Sequence, residues 1–376
     1  LKNKAMHFSK FIFLTLLISL FSSACTEKTG DSACNSTFDQ SALFSNIADK
    51  IILPGYAKLQ TSVNELVFAQ EAFQNTPDLS TLSNLRSTWH TAYLNWQDVA
   101  PYELGPAEEV FLRNSLNNFP SNIDSIEQHI QSGSYNFDQP DAYDKGFPAL
   151  DYLLYGLAPT EQEILDRYLN PTDGSKYQHY LKALVLDIQS RVNHTYTSWQ
   201  NGYADAFIAN TGTAAGSSLS LLVNQLNQHY EAIKRDKIGI PSGVLTLGIP
   251  NPQTVEARFS GYSIELALRA LRASEQLYLG KGIDGTNGVG FDDYLEAINA
   301  KKNGNSLDAE IHMQYTQAIA TLEALPGPLS TAVVDNQSAV EQVYNEITRQ
   351  LVNTKTDMPS VLCVSITYID NPSDSD

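Results

Sequence analysis

The sequence predicts an all-α protein, and three observations carry that expectation. Apolar residues recur at steps of three and four along most of the chain, the spacing that places side chains on one helix face. Proline and glycine gather mostly between those periodic stretches, as breakers do between helices. Strand-like alternation is confined to Val364, Ile366 and Tyr368 against Ser365 and Thr367, which predicts one short strand at most.

In order, residues 1–24 read as a leader. Lys2, Lys4 and Lys10 form a basic start, and the apolar run from Phe11 to Phe21 is too short for a spanning helix. Ser22-Ser23-Ala24-Cys25 sets small residues before a cysteine, as at a lipoprotein cleavage site. Cys25 is then the expected lipidated first residue of the mature chain, and residues 25–40 its polar tether. Ser41 opens a helix through Leu43, Ile47 and Ile51, which Pro54-Gly55 should kink or break. The pattern resumes from Tyr56 to Phe73. Leu82, Leu85, Trp89, Ala92, Tyr93 and Trp96 form the clearest single stripe. Gly105-Pro106 suits the start of a short helix, and Ser121-x-x-Asp124 has the capping-box pattern of another.

Pro171-Thr-Asp-Gly174 marks the expected boundary between a first helical half, residues 41–170, and a second, 171–369. A long helix follows through Leu181, Ile188 and Trp199, and another through Leu219, Leu226 and Ile233. Gly239 to Pro252 is rich in breakers and reads as a loop. Val255, Phe259, Leu266 and Ala270 carry a helix to Gly280. Ile311 to Leu322 and Val340 to Leu351 are the last two long stripes, and residues 370–376 a loose polar tail. His90-Thr-Ala-Tyr93-x-x-Trp96-Gln97 echoes His194-Thr-Tyr196-x-x-Trp199-Gln200, a hint of duplicated halves.

The 376-residue chain is long enough for a sizeable core. Its 24 Lys+Arg against 42 Asp+Glu argue against a nucleic-acid partner and against docking on an anionic bilayer by charge. With Cys25 lipidated, Cys34 and Cys363 remain in an oxidising compartment, as a disulfide or as two free thiols, and the bridge is the favoured expectation.

Lys145-Gly-Phe-Pro-Ala-Leu-Asp-Tyr-Leu-Leu-Tyr-Gly156 holds the candidate site. Gly146 breaks the chain before a helix, Pro148 fits its first turn, and Asp151 lies one turn on, on the same face. Capping is the ordinary role of such an aspartate. Glu103 belongs to an acidic group with Glu108 and Glu109 around Gly105-Pro106. Glu256 and Ser260 stand one turn apart, facing a central cleft or bonded to each other. The chain has no His-Glu-x-x-His, no Gly-x-Ser-x-Gly and no phosphate loop, so no hydrolase constellation is catalytic on sequence grounds.

The frame Gly146-Phe-Pro-Ala-Leu-Asp-Tyr-Leu-Leu-Tyr-Gly156 resembles the Gly-x-His-x-x-Glu-Tyr-Leu-Leu-x-Gly signature of the imelysin family, with proline in place of histidine and aspartate in place of glutamate. Trp96-Gln97 with Glu103-Leu-Gly-Pro106, Lys237-Ile-Gly-Ile-Pro-x-Gly243 and Val255-Glu-Ala-Arg-Phe-Ser260 resemble further family segments, in the same order. The resemblance implies two antiparallel four-helix bundles in a pseudo-twofold arrangement, in a bacterial envelope lipoprotein tied to iron or haem uptake. It places the ligand site at Gly146, Pro148 and Asp151, with Glu103, Glu256 and Ser260 as weaker candidates. Because Pro148 and Asp151 replace the histidine and glutamate of that motif, the expected protein is a binding or adaptor component rather than an enzyme, holding at most a weakly bound iron or other divalent cation. The alternatives are a metallopeptidase of the imelysin type and a scaffold that kept the fold and lost the site.

Overall fold

The computed structural model describes residues 36–368. Among them the only paired strands are Lys301–Lys302 (β1) and Asn305–Ser306 (β2), a minimal antiparallel hairpin. The strand expected at 364–368 does not form. That segment is irregular, and the Asn224 side chain donates to the Ser365 carbonyl (3.0 Å) and accepts the Thr367 N–H (2.7 Å). One side-chain amide thus does the work of a neighbouring strand.

Helix α1 (Gln40–Asn46) passes through a wide π-turn, Ile47–Ile52, directly into α2 (Leu53–Asn75). Pro54 therefore does not break the chain as expected. It sits in the first turn after a change of helical register, where the donor it lacks is not needed. Helix α2 lies against α3 (Leu79–Val99) on one side and α9 (Gly174–Ser198) on the other. Between these run α4 (Pro106–Glu109), α5 (Leu112–Leu116), α6 (Ile123–Ser132), α7 (Gly146–Asp151) and α8 (Glu161–Leu169), and all five touch α9. The first packing group thus draws on both sides of the turn at Pro171–Gly174. The cap of α6 is Asn122, whose side chain accepts the Ser125 N–H at 3.1 Å, one residue beyond the expected Ser121.

Helix α10 (Ala204–Ala209) returns to α1. Then α11 (Ser218–Ala232), α13 (Ser263–Tyr278), α15 (Leu307–Glu323) and α17 (Gln337–Leu351) close a ring in which each packs on two others. The short α12 (Ile240–Ser242), α14 (Phe291–Ala297), α16 (Leu329–Asp335) and α18 (Met358–Leu362) lie between or after them. Helix α13 begins eight residues later than its apolar pattern suggests, because the chain turns at Ala257 (φ +48°) and Gly261 (φ +80°). Contact of α3 with α13 joins the two groups. The echoing segments His90 to Gln97 and His194 to Gln200 fall in α3 and at the end of α9, which flank α2 in one group, so the echo relates two helices of one group. Both histidines reach a glutamate: His90 to Glu265 (2.9 Å) and His194 to Glu109 (3.0 Å).

Cys363 is disulfide-bonded. Its expected partner Cys34, and the expected lipid-bearing Cys25, lie outside the described residues. No helix among those described is long and apolar enough to cross a membrane.

Candidate functional site

Helix α7 is pressed against α5 by the one residue type that permits it. Gly146 has φ +72°, and a Cβ there would stand 2.3 Å from the Leu116 carbonyl oxygen. Just before it, the buried Lys145 ammonium donates to Ser115 Oγ (3.2 Å) and to the carbonyls of Phe137 (2.7 Å) and Gln139 (2.6 Å), pinning the preceding loop. Burial holds the pKa of that ammonium below the usual lysine range. Pro148 follows within the buried first turn.

Asp151 ends α7 and is 2% exposed. Its two carboxylate oxygens accept the backbone N–H groups of Ser260 and Phe259, both at 3.0 Å. The expected cap on its own helix is therefore not made. At the last position of a six-residue helix no free N–H of that helix is within reach. The aspartate instead caps a turn 108 residues away, and α7 continues into a π-turn, Tyr152–Gly156. Burial pushes the Asp151 carboxyl up to about 6, against the opposing pull of its bonds to Ser260 and Phe259. Pro148, Asp151, Phe119, Val255 and Phe259 line a pocket with room for one water molecule at most.

Beside this clasp lies a second buried node. Glu256, 1% exposed, accepts from Lys237 Nζ (2.5 Å), Asn117 Nδ2 (2.9 Å) and Tyr93 Oη (3.0 Å). Lys237 also donates to Gln97 Oε1 at 3.2 Å. Tyr93 and Gln97 come from α3, Asn117 follows α5, and Lys237 lies in the π-turn Ile233–Gly239 that extends α11, so the node ties the two groups together. Burial raises the Tyr93 phenol well above its ordinary value, and the charges of Glu256 and Asp151 push it the same way. Ser260 Oγ donates to the Ala257 carbonyl (3.2 Å) and not to Glu256, so the internal bond considered between those two does not form.

Glu103 belongs to a different network. It accepts the Arg113 N–H at 3.0 Å, while the Arg113 guanidinium donates to the Ala100 carbonyl (3.2 Å) and Gln225 Oε1 (2.7 Å). Burial pushes the Glu103 carboxyl up to about 7. The structure thus brings Asp151, Ser260 and Glu256 into one neighbourhood and leaves Glu103 in another. Lys237, Tyr93, Asn117 and Gln97 are members of the site that sequence reasoning missed. The one signal was a lysine standing at the edge of the uncharged segment Ile238–Val255.

The donor set does not fit a tightly held transition metal. Pro148 offers no side-chain donor, both oxygens of Asp151 are taken by N–H groups, and Glu256 is neutralised by Lys237. Among the described residues no group of three or more His, Cys, Asp or Glu is placed to hold a metal ion. What the arrangement does chemically is brace: two buried carboxylates fix the turn 256–260 against α7 and α3.

A family model described as Imelysin matches residues 52–354. Iron-regulated protein A of Synechococcus elongatus is 22% identical over 345 residues, covering 85% of this chain and 89% of that protein. Two solved structures share the fold. One, from Parabacteroides distasonis and named as an iron-regulated protein A precursor, has a TM-score of 0.70 at 18% identity, over 85% of this chain and 95% of its own. The other, an imelysin-like protein of Psychrobacter arcticum, has a TM-score of 0.65 at 17% identity, over 88% and 97%.

Proposed function

The chain belongs to the imelysin family, and we propose that it serves iron or haem uptake at the bacterial cell envelope as a binding or adaptor component without enzymatic activity of its own. One observation carries the reading: at the position of the family's chelating pair, the only carboxylate is committed to the N–H groups of Phe259 and Ser260. A metallopeptidase needs an open metal position and a free general base, and neither group is available there. The name of the cyanobacterial relative, iron-regulated protein A, supports the link to iron. In this reading a lipid on Cys25 holds the protein to the membrane, and the tether sets it off from the surface.

The test combines metal analysis of dialysed protein with a protease assay run with and without chelator. No stoichiometric transition metal and no chelator-sensitive cleavage are expected. Tight metal that disappears in Asp151→Ala would overturn the reading in favour of the metallopeptidase. For the anchor, Cys25→Ala should shift the protein from the membrane fraction to the soluble one or block its processing; identical fractionation of wild type and variant as soluble protein would refute it.

A further inference from the structure

Residues of both helical groups line a cleft of about 510 Å³ that shares no lining residue with the pocket at Asp151 and lies within the size range of small-molecule sites. Lys58 of α2, Arg269 and Arg272 of α13, and Lys281 just beyond it line the cleft with His312 of α15, against only Asp98 and Glu275. In a chain with 24 basic and 42 acidic residues, this lining reverses the overall sign. We propose that the cleft binds a small polycarboxylate anion, free or as its iron(III) chelate.

The chemistry follows from how the cations are held. The Arg269 guanidinium is bound by both oxygens of Asp98, which fixes one wall across the junction of the groups. Lys58 stands 3.6 Å from the same carboxylate, with its side chain 47% exposed, so it shares an anion already engaged by arginine. Arg272 bonds Glu323 through one nitrogen, and its side chain is 50% exposed, which leaves donors of the planar fork facing the opening. Lys281 and His312 are close enough to Glu275 to act on its carboxyl. Lys58, Arg269, Arg272 and Lys281 are balanced by Asp98, Glu275, Glu323 and, beside Arg269, Glu265, but of these only Asp98 and Glu275 line the cleft, and carboxylate ligands answer arginine and lysine with charge-assisted bonds. Leu279, Ile283 and Ile319 supply an apolar floor for a carbon skeleton, and among the described residues no Phe, Tyr or Trp lines the cleft to stack a base. The iron-loaded form of the ligand rests on the proposed uptake role; the anion site itself does not.

The experiment is calorimetric titration of the mature chain with citrate and, separately, with iron(III) citrate, at low and high salt. Binding is expected for at least one of the two, weakening with salt, as screened charge pairs do. Lys281→Glu, at an exposed position, and Arg272→Gln should each weaken it roughly tenfold or more, with unchanged melting temperature. Lys176→Glu, exposed on α9, is the control and should bind as wild type does. No binding of either ligand at millimolar concentration, or equal weakening by Lys176→Glu, overturns the proposal and leaves the uptake reading standing. Binding of citrate but not of its iron complex upholds the anion site and counts against an iron cargo there.

Discussion

Replacing Lys237 with methionine should remove roughly 3–5 kcal/mol of stability, the usual effect of leaving one member of a buried ion pair alone. The ammonium lies 2.5 Å from the Glu256 carboxylate, and the two side chains are 6% and 1% exposed. At an effective dielectric of about 20, charges this close attract by roughly 7 kcal/mol, most of which only repays the removal of both from water. Methionine fills the space of the lysine stem but takes away the charge. Glu256 is then left with Tyr93 and Asn117, two neutral donors, and Gln97 Oε1 loses its donor. Urea unfolding followed by circular dichroism gives the loss from the shift in midpoint at constant slope. The double variant Lys237→Met/Glu256→Gln removes both charges and should be more stable than the Lys237→Met single, with a coupling of about 2 kcal/mol or more across the cycle. Single variants that each change stability by under about 1 kcal/mol and simply add in the double would show that the node does not hold the two groups together.

The pH dependence of stability tests the clasp. The Asp151 carboxyl is raised from 3.8 to about 6, so between those values the folded state binds more protons than the unfolded one, and stability falls as pH rises through that window. The full drop is about 3 kcal/mol from about pH 4 to neutrality. Glu103, raised to about 7, acts in the same direction, and His229, lowered to about 3, acts oppositely. The difference between wild type and Asp151→Asn isolates the clasp, and parallel stability curves for the two would refute it. Gly146→Ala should lose about 2–4 kcal/mol, from a left-handed backbone and from overlap with the Leu116 carbonyl; a melting temperature within about a degree of wild type would contradict the close approach of α7 to α5. Pro148→His with Asp151→Glu restores two donor groups of the family motif but no third, in a pocket of about one water. Zinc should therefore bind no tighter than micromolar, and a stoichiometric tight site in calorimetry would show that the clasp yields to metal.

The helices were legible because their signal is local: the stripe from Leu82 to Trp96 is buried as one face of α3. The candidate helix was legible for the same reason, since Gly146, Pro148 and Asp151 act within six residues of one another. What Asp151 touches was not. Its partners lie 108 and 109 residues on, in a segment whose apolar spacing reads as helix but whose backbone turns at Ala257. Glu256 stood among the candidates, but its lysine, tyrosine and two amides come from three separate parts of the chain, and no spacing rule joins them. The geometry also gives a physical reason for the altered motif. A carboxylate that must meet two backbone N–H groups at 3.0 Å does so here with the short arm of aspartate. Glutamate would have to fold its extra methylene back into a pocket with almost no spare volume. Proline at 148 needs no partner in that buried first turn, where a histidine would bring two ring nitrogens needing partners. The two exchanges therefore belong together: each suits a helix that has kept its place against the turn 257–260 and uses its carboxylate to hold that turn.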